Sequence, residues 1–192
     1  MTGPLAPFLH SLYAQAFAFV KRYDRAILHY EQALALDPAR QKAWRAVGFL
    51  YSESADASNA IRTFREAIRL DPSDYTTRFN LGFLHHQRRE FDAAVEQFEA
   101  AIKLSPVLDR AWYGLGAIHL ERGKLDLAIE RLKEAARIQY FNPHAAQLLV
   151  TAYQRAGKQS EAIEELNRLN GFDPKAAAAT AAETGYKLLP KK

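Results

Sequence analysis

Residues 41–74 read QKAWRAVGFLYSESADASNAIRTFREAIRLDPSD, and this stretch decides the fold. Trp44, Val47 and Tyr51 recur at three- and four-residue steps, which is the spacing of one face of an α-helix. After a short polar break, a second pattern of the same kind is centred on Phe64. The closing Asp-Pro ends it, because a residue before proline is biased away from helical geometry. The stretch therefore predicts two amphipathic helices joined by a short turn.

The same pattern returns along the chain with a period of 34 residues. Prolines mark this period at Pro38, Pro72, Pro106 and, two periods further on, Pro174. Pro143 does not belong to the series and instead suits the first turn of a new helix. A fixed period of this length indicates a repeat array, in which each unit has a first and a second helix.

Small and aromatic residues occupy matching positions of these units. A small residue in the second helix is Ala26, Ala60, Ala94, Ala128 and Ala162. A large residue follows as Tyr30, Phe64, Phe98, Leu132 and Leu166. Glycine recurs in the first helix as Gly48, Gly82 and Gly116, and both tryptophans, Trp44 and Trp112, share one position. These residues suit two helices that approach each other closely.

This arrangement resembles the tetratricopeptide repeat family. The resemblance implies an all-α fold, an α-solenoid in which five helix-turn-helix pairs form a right-handed superhelix followed by a C-terminal capping helix. We assign one domain over residues 1–190, with repeats at 7–40, 41–74, 75–108, 109–142 and 143–176 and a terminal helix at 175–188. The first and fifth units depart from the family pattern, as expected for repeats with only one neighbour. Arg78 replaces the usual tryptophan of the third unit, and the sequence does not explain why.

Composition excludes several classes of function. The chain has 26 Lys and Arg against 22 Asp and Glu, a formal charge of +4 that falls short of the basic stripe of a nucleic-acid binder. It has no cysteine, which excludes disulfides and thiolate catalysis. The apolar stretch around Ala14-Gln15-Ala16 opens without Lys or Arg, so we expect a cytoplasmic protein rather than a periplasmic one with a cleaved signal.

Neither catalysis nor a cofactor is predicted. No glycine-rich loop that could cradle a phosphate is present, and the carboxylates alternate with Arg and Lys on second helices. His85 and His119 lie one period apart, so they should be equivalent structural positions rather than ligands of one metal ion. We therefore expect no enzyme activity, no cofactor and no metal site.

The resemblance also implies where a ligand binds, because in this family the first helices line the concave groove. The residues predicted to face that groove are Lys42, Arg45, Phe49, Phe79, Asn80, Phe83, His86, Arg110, Tyr113, Ala117, Gln147 and Thr151. Their aromatic members are not needed by the predicted core, and clustered exposed aromatic side chains usually mark a contact surface. We expect them to hold apolar side chains of a peptide or helix, with Lys42, Arg45 and Arg110 attracting its carboxylates. The alternative is that some of these rings pack between units and only stabilise the fold.

A narrower hypothesis is the carboxylate clamp that some family members use for a C-terminal carboxylate. Arg45, Asn80 and Arg110 occupy three of its five positions, whereas Phe49 and Gly114 depart from it. The sequence thus favours a scaffold or adaptor that binds a protein segment, with apolar anchors and acidic groups, and assists the assembly of a larger complex. Two alternatives stay open: a chaperone for an apolar segment of a secreted or membrane subunit, and a self-assembling structural protein that forms homo-oligomers. Nucleic-acid binding and membrane insertion are not expected.

Overall fold

The computed structural model describes residues 3–188, which form eleven α-helices and no strand. The helices are α1 (Ala6–Phe19), α2 (Tyr23–Leu36), α3 (Gln41–Glu53), α4 (Ala57–Leu70), α5 (Tyr75–Gln87), α6 (Phe91–Leu104), α7 (Asp109–Glu121), α8 (Leu125–Ile138), α9 (Pro143–Arg155), α10 (Gln159–Phe172) and α11 (Pro174–Thr184). Odd-numbered helices up to α9 are first helices, and even-numbered helices are second helices. This order confirms the predicted all-α architecture of helix pairs.

The chain divides into two compact units, one that ends at Gln97 and one that begins at Phe98, so that the boundary falls within α6. In the N-terminal unit α1 packs against α2 and α3 against α4, and α3 also touches the next first helix, α5. In the C-terminal unit α7 packs against α8, and α9 against both α8 and α10. Each helix thus packs mainly on its neighbours in sequence, which is the organisation of a solenoid.

The repeated small and large residues form the core of both units. All five alanines of the second-helix position are fully buried, and the large residue that follows each of them is buried as well. The first-helix glycines allow the close approach. A Cβ on Gly48 would lie 2.7 Å from the Phe64 ring, and one on Gly116 would lie 2.5 Å from Cγ of Leu132. The two helices of a pair therefore meet at a distance that leaves no space for a side chain there.

The structure explains why Arg78 can replace tryptophan. The indole nitrogens of Trp44 and Trp112 donate to the carbonyls of Pro38 and Pro106 at 2.8 and 2.9 Å. The Arg78 guanidinium donates to the equivalent carbonyl of Pro72, at 3.3 Å from Nε and 3.1 Å from Nη2. The position therefore requires a long side chain with an N–H donor, and either residue type supplies one.

The fifth unit satisfies the same carbonyl from elsewhere in the fold. Ala146 stands at the tryptophan position there and has no side-chain donor. The equivalent carbonyl belongs to Tyr140, and Nη1 of Arg168 on α10 donates to it at 2.7 Å. The hydrogen bond is thus kept while its donor moves from the first helix to the second.

The turn inside each repeat has one residue in the left-handed region of backbone conformation. These residues are Lys21, Ala55, Arg89, Gly123 and Gly157, with φ between 57° and 71° and a spacing of 34 residues. Only two of the five are glycine, the residue that adopts this conformation without steric cost. Three turns therefore carry backbone strain, and the periodic spacing of the two glycines was the sequence signal for this position.

The ends of the last helices follow from their local sequence. Asn142 caps α9 by accepting from the backbone N–H groups of His144 and Ala145, and Pro143 opens the helix as predicted. Asp173 caps α11 by accepting from the N–H of Ala176. The terminal helix is shorter than the predicted 175–188, because it ends at Thr184 where Gly185 turns to a left-handed φ of 76°.

Candidate peptide-binding surfaces

Aromatic side chains are exposed on two adjacent first helices of the N-terminal unit. Phe49 on α3 is 49% exposed and Phe83 on α5 is 46% exposed, and the two lie one period apart on helices that touch. The Phe79 ring is half-buried and stacks on Phe83, with centroids 6.4 Å apart and an interplanar angle of 22°. Together with Lys42 and Arg45, these residues form what we call the α3–α5 surface. Its rings lie outside the buried core of the unit, as a contact surface requires.

Arg45 is less available to a ligand than its sequence position indicated. Its Nη1 donates to Oδ2 of Asp74 at 3.1 Å, and Asp74 is buried. The same Oδ2 accepts from Nε2 of Gln41 at 2.6 Å and from the Thr77 hydroxyl at 2.7 Å. Arg45 is thus held in place and its charge is partly neutralised, whereas Lys42 stays exposed and has no ion-pair partner within residues 3–188.

The state of Asp74 reflects this network. Burial raises the pKa of the Asp74 carboxyl, but hydrogen bonds from Thr77 and Gln41 together with the charge of Arg45 outweigh it and leave the pKa below its ordinary value. Asp74 also caps α5, because its other oxygen accepts from the Thr77 N–H at 3.1 Å. The carboxylate therefore joins two consecutive repeats in its charged form. Sequence reasoning missed it, although an Asp at a helix start was a visible capping signal.

The remaining predicted residues of this unit lie beside the aromatic surface. Asn80 and His86 on α5 are both half-buried. The His86 ring lies 6.0 Å from the Phe91 ring, and the Arg89 guanidinium lies 5.0 Å from the other side chain of that contact, Phe91. His86 thus packs at the end of α5 against the start of α6.

In the C-terminal unit, several predicted residues serve the fold itself. Tyr113 is half-buried against the hydrophobic core, and burial raises the pKa of its hydroxyl. Arg110 is exposed, whereas Ala117 and Gln147 are half-buried. The Thr151 hydroxyl donates to the carbonyl of Gln147 at 3.1 Å, within its own helix.

The terminal helix α11 packs on both α9 and α10. Nε2 of Gln154 on α9 donates to the carbonyl of Thr184, the last residue of α11, at 2.9 Å. Part of the predicted binding face of the fifth repeat is therefore used by the chain itself. The pattern of the first helices could not show this, because α11 lies outside the period.

The geometry argues against a five-residue carboxylate clamp. Gly114 stands at its last position, and a Cβ there would lie 2.6 Å from the Phe98 ring. That position faces the preceding second helix, so no side chain fits. Arg45 is already bound to Asp74, and the Phe49 ring replaces an amide.

The two histidines predicted to be equivalent have opposite surroundings. His85 is buried and its Nδ1 lies 2.6 Å from Oε2 of Glu90, a hydrogen bond that lowers the pKa of Glu90. At the position equivalent to Glu90, the next repeat has Lys124. Burial lowers the pKa of His119, and the positive charges of Arg131, Lys124 and Arg122 lower it further. Within residues 3–188, no three His, Asp or Glu side chains converge as a metal site would require.

The fold and its repeated positions define an α-solenoid of helix pairs. The model of the tetratricopeptide repeat family matches residues 13–74, 48–108 and 84–143, which together span more than half of the chain. The chain therefore belongs to the tetratricopeptide repeat family. Proteins of this family typically act as non-enzymatic interaction modules, and in that general sense this protein is a protein-interaction scaffold.

Solved structures of other proteins share the fold. MamA aligns with a TM-score of 0.82 at 22% sequence identity, covering 98% of this chain and 100% of that one. YrrB, described as a TPR protein with an unusual peptide-binding site, aligns with a TM-score of 0.75 at 19% identity, covering 90% of each chain. PilF of Pseudomonas aeruginosa aligns with a TM-score of 0.77 at 17% identity, covering 94% of this chain and 89% of that one. At these identities the likeness shows the fold alone.

No curated protein sequence matches the chain. None of the helices between residues 3 and 188 combines the length and apolar character needed to cross a membrane.

Proposed function

We propose that the protein is an adaptor that binds a peptide segment of a partner protein on the α3–α5 surface and so assists the assembly of a larger complex. The observation that carries the proposal is the pair of half-exposed rings of Phe49 and Phe83 on adjacent first helices. Exposed aromatic side chains on a preorganised surface bind apolar side chains without an ordering cost on the protein's own side. The peptide-binding site of YrrB, a protein of the same fold, is consistent with this role.

The charges of the surface favour an acidic ligand. Lys42 is exposed and unpaired, and Arg45 keeps spare N–H donors although one of them is bound to Asp74. A carboxylate of the ligand would meet Lys42 first, since that charge is not already neutralised. The ligand that fits best is therefore an extended or helical segment with apolar anchors and at least one acidic residue.

The test is selection of short random peptides displayed on phage against the whole protein. We expect the enriched peptides to be apolar and acidic. Substitution of both Phe49 and Phe83 by alanine should weaken their binding about a hundredfold, because aromatic anchors commonly contribute about 1–2 kcal/mol each. The matched control replaces Leu36 and Leu104, exposed residues at the ends of α2 and α6, by alanine. Enriched peptides that bind the Phe49 and Phe83 variant as tightly as the wild type would refute the proposal.

The affinity of the same peptides also tests the role of Lys42. Lys42→Ala should reduce the binding of acidic peptides more than the binding of neutral variants of those peptides. An equal reduction for both would show that Lys42 does not meet a carboxylate.

A second candidate function, self-association, is supported by the uncovered face of α1. Tyr13 is 44% exposed, whereas Val47, Leu81 and Leu115 at the equivalent positions are buried. Ala16 is exposed as well, although Leu50 and Leu84 at its equivalent positions are buried. In later repeats these positions pack in the core, and α1 lacks that covering.

A second copy of the chain is the occupant that α1 favours. The helix contains no Asp, Glu, Lys or Arg, so two copies of α1 meet without repulsion between like charges. Sedimentation equilibrium should then show a dimer that Leu12→Glu and Tyr13→Glu together convert to a monomer. A wild-type protein that remains monomeric at all accessible concentrations would exclude this function.

A further inference from the structure

A groove with a volume of about 700 Å³ lies between the second helices α8 and α10 of the C-terminal unit. Tyr153 and Leu149 of α9 line it from below, and Tyr140 lines it near the turn that follows α8. This α8–α10 groove is formed by second helices, so it is separate from the α3–α5 surface. Neither the family pattern nor the proposed function assigns it a role.

The side chain at its base has an unused polar group. Tyr153 is only 9% exposed, and its hydroxyl has no hydrogen-bond partner within residues 3–188. That hydroxyl is not among the fully buried polar atoms that lack a partner, so it is reached from the groove. A largely buried tyrosine normally finds a partner for its hydroxyl. A ligand in the groove would supply one.

The α10 wall of the groove is negatively charged. Glu161 and Glu164 lie one helical turn apart, both are exposed, and neither has an ion-pair partner in the described part of the chain. Burial raises the pKa of the Tyr153 hydroxyl, and the negative charges of Glu165, Glu161 and Glu164 raise it further. The tyrosine at the base of the groove therefore experiences a negative potential.

The facing wall only partly compensates this charge. Arg137 on α8 is paired with Glu134, at 2.9 Å between Nη2 and Oε2. Lys133 is exposed and has no partner among residues 3–188. With Glu165 bound to Arg168, two unpaired carboxylates face one unpaired ammonium group, which leaves room for another cation.

The protein's own Arg168 shows how a cation is held in these surroundings. Its guanidinium binds the Glu165 carboxylate on one side. On the other side it lies 4.7 Å from the centre of the Tyr140 ring and 5.3 Å from that of Phe172. Carboxylate and aromatic faces together are a favourable setting for a guanidinium or ammonium group. Tyr140 and Phe141 remain 53% and 67% exposed, so their other faces are free for a ligand.

We propose that the α8–α10 groove binds a basic side chain, arginine or lysine, of a partner peptide. Its cation lies against Glu161 and Glu164 and donates a hydrogen bond to the Tyr153 hydroxyl. The neighbouring residue of the peptide packs on the exposed rings of Tyr140 and Phe141. The protein would then carry two surfaces of opposite preference, an acidic segment on α3–α5 and a basic one between α8 and α10.

The test uses short end-capped peptides that contain adjacent arginine and leucine residues, and matched peptides with citrulline in place of arginine. Citrulline keeps the shape of arginine but has no charge. Isothermal titration calorimetry with the whole protein should detect the arginine peptide and give at least tenfold weaker binding of the citrulline peptide. Equal binding of the two would overturn the proposal, and so would a failure of the arginine peptide to bind.

Variants separate this groove from general attraction to negative charge. Glu161→Gln together with Glu164→Gln should weaken arginine-peptide binding about tenfold, because charge-assisted hydrogen bonds are lost while the shape is kept. Tyr153→Phe should weaken it severalfold. The control, Glu130→Gln with Glu183→Gln, removes two exposed carboxylates of the same unit outside the groove and should leave binding unchanged. A loss in the control equal to that in the groove variant would refute the site, and unchanged thermal midpoints verify that each variant is folded.

Discussion

The guanidinium of Arg78 donates two hydrogen bonds to the carbonyl oxygen of Pro72, the same contact that the Trp44 indole makes with Pro38 one repeat earlier. The two side chains have little chemistry in common beyond an N–H group at the end of a long side chain. The contact ties the start of a first helix to the turn before it. Its recurrence means that this position is selected for a donor rather than for an aromatic ring.

Arg78→Ala should therefore lower the free energy of unfolding by about 1 kcal/mol, because a carbonyl loses its partner. Arg78→Trp should restore most of this loss, since tryptophan makes the bond in the neighbouring repeats. Urea unfolding followed by circular dichroism measures both variants. An Arg78→Trp variant as unstable as Arg78→Ala would contradict the interpretation.

The close approach of α7 and α8 predicts opposite effects for two glycine substitutions. Gly116→Ala should destabilise the protein by about 1–2 kcal/mol, because the new Cβ would overlap the buried Leu132 and the cost of overpacking exceeds the gain in helix propensity. Gly171→Ala in α10 has open space around its Cβ and should stabilise by about 0.5–1 kcal/mol. Urea midpoints distinguish the two, and a stabilising Gly116→Ala would show that the helices can move apart without cost.

The left-handed turn position predicts another opposed pair. Ala55 has a φ of 60°, so Ala55→Gly should relieve strain and stabilise the protein by roughly 0.5 kcal/mol. Gly123 has a φ of 71° in the equivalent turn, and Gly123→Ala should destabilise by about 1 kcal/mol. The thermal midpoint reports both changes.

A helical alanine serves as the control for the turn. Ala179→Gly, at an exposed position inside α11, should destabilise by about 1 kcal/mol because glycine is a poor helix former. If Ala55→Gly destabilises as well, the turn does not store the strain that its backbone angle indicates.

Asp74 predicts a pH dependence with a definite sign. Its pKa in the folded protein is below the ordinary value of 3.8, so its charged form contributes stability above that pH and the contribution is lost as the pH falls further. Asp74→Asn keeps a side-chain cap, as Asn142 does for α9, but loses the charge. At pH 7 this variant should be less stable than the wild type by about 1–2 kcal/mol.

The difference in unfolding free energy between wild type and Asp74→Asn should stay constant at neutral pH and shrink below about pH 4. Urea unfolding at a series of pH values measures it. A difference that is the same at pH 7 and at pH 3 would mean that the contact with Arg45 and Gln41 does not depend on the charge of Asp74.

The sequence by itself determined the helix pairs, their period and the buried positions. Ala60, Phe64 and Gly48 could be assigned because the core of each repeat is formed by residues near in sequence, and these contacts recur every 34 residues. The exposure of Phe49 and Phe83 followed in the same way, since the core positions of their helices were already occupied.

Only the tertiary structure decided which of the other side chains are available. Arg45 is held by Asp74, which caps the next first helix, and Gln154 is engaged by the end of α11. The donor to the Tyr140 carbonyl is Arg168, from the following second helix, and the α8–α10 groove forms around residues that lie outside the repeated core. The physical reason is that a polar or charged side chain reaches partners that vary from repeat to repeat, so its state depends on neighbours that the period does not specify.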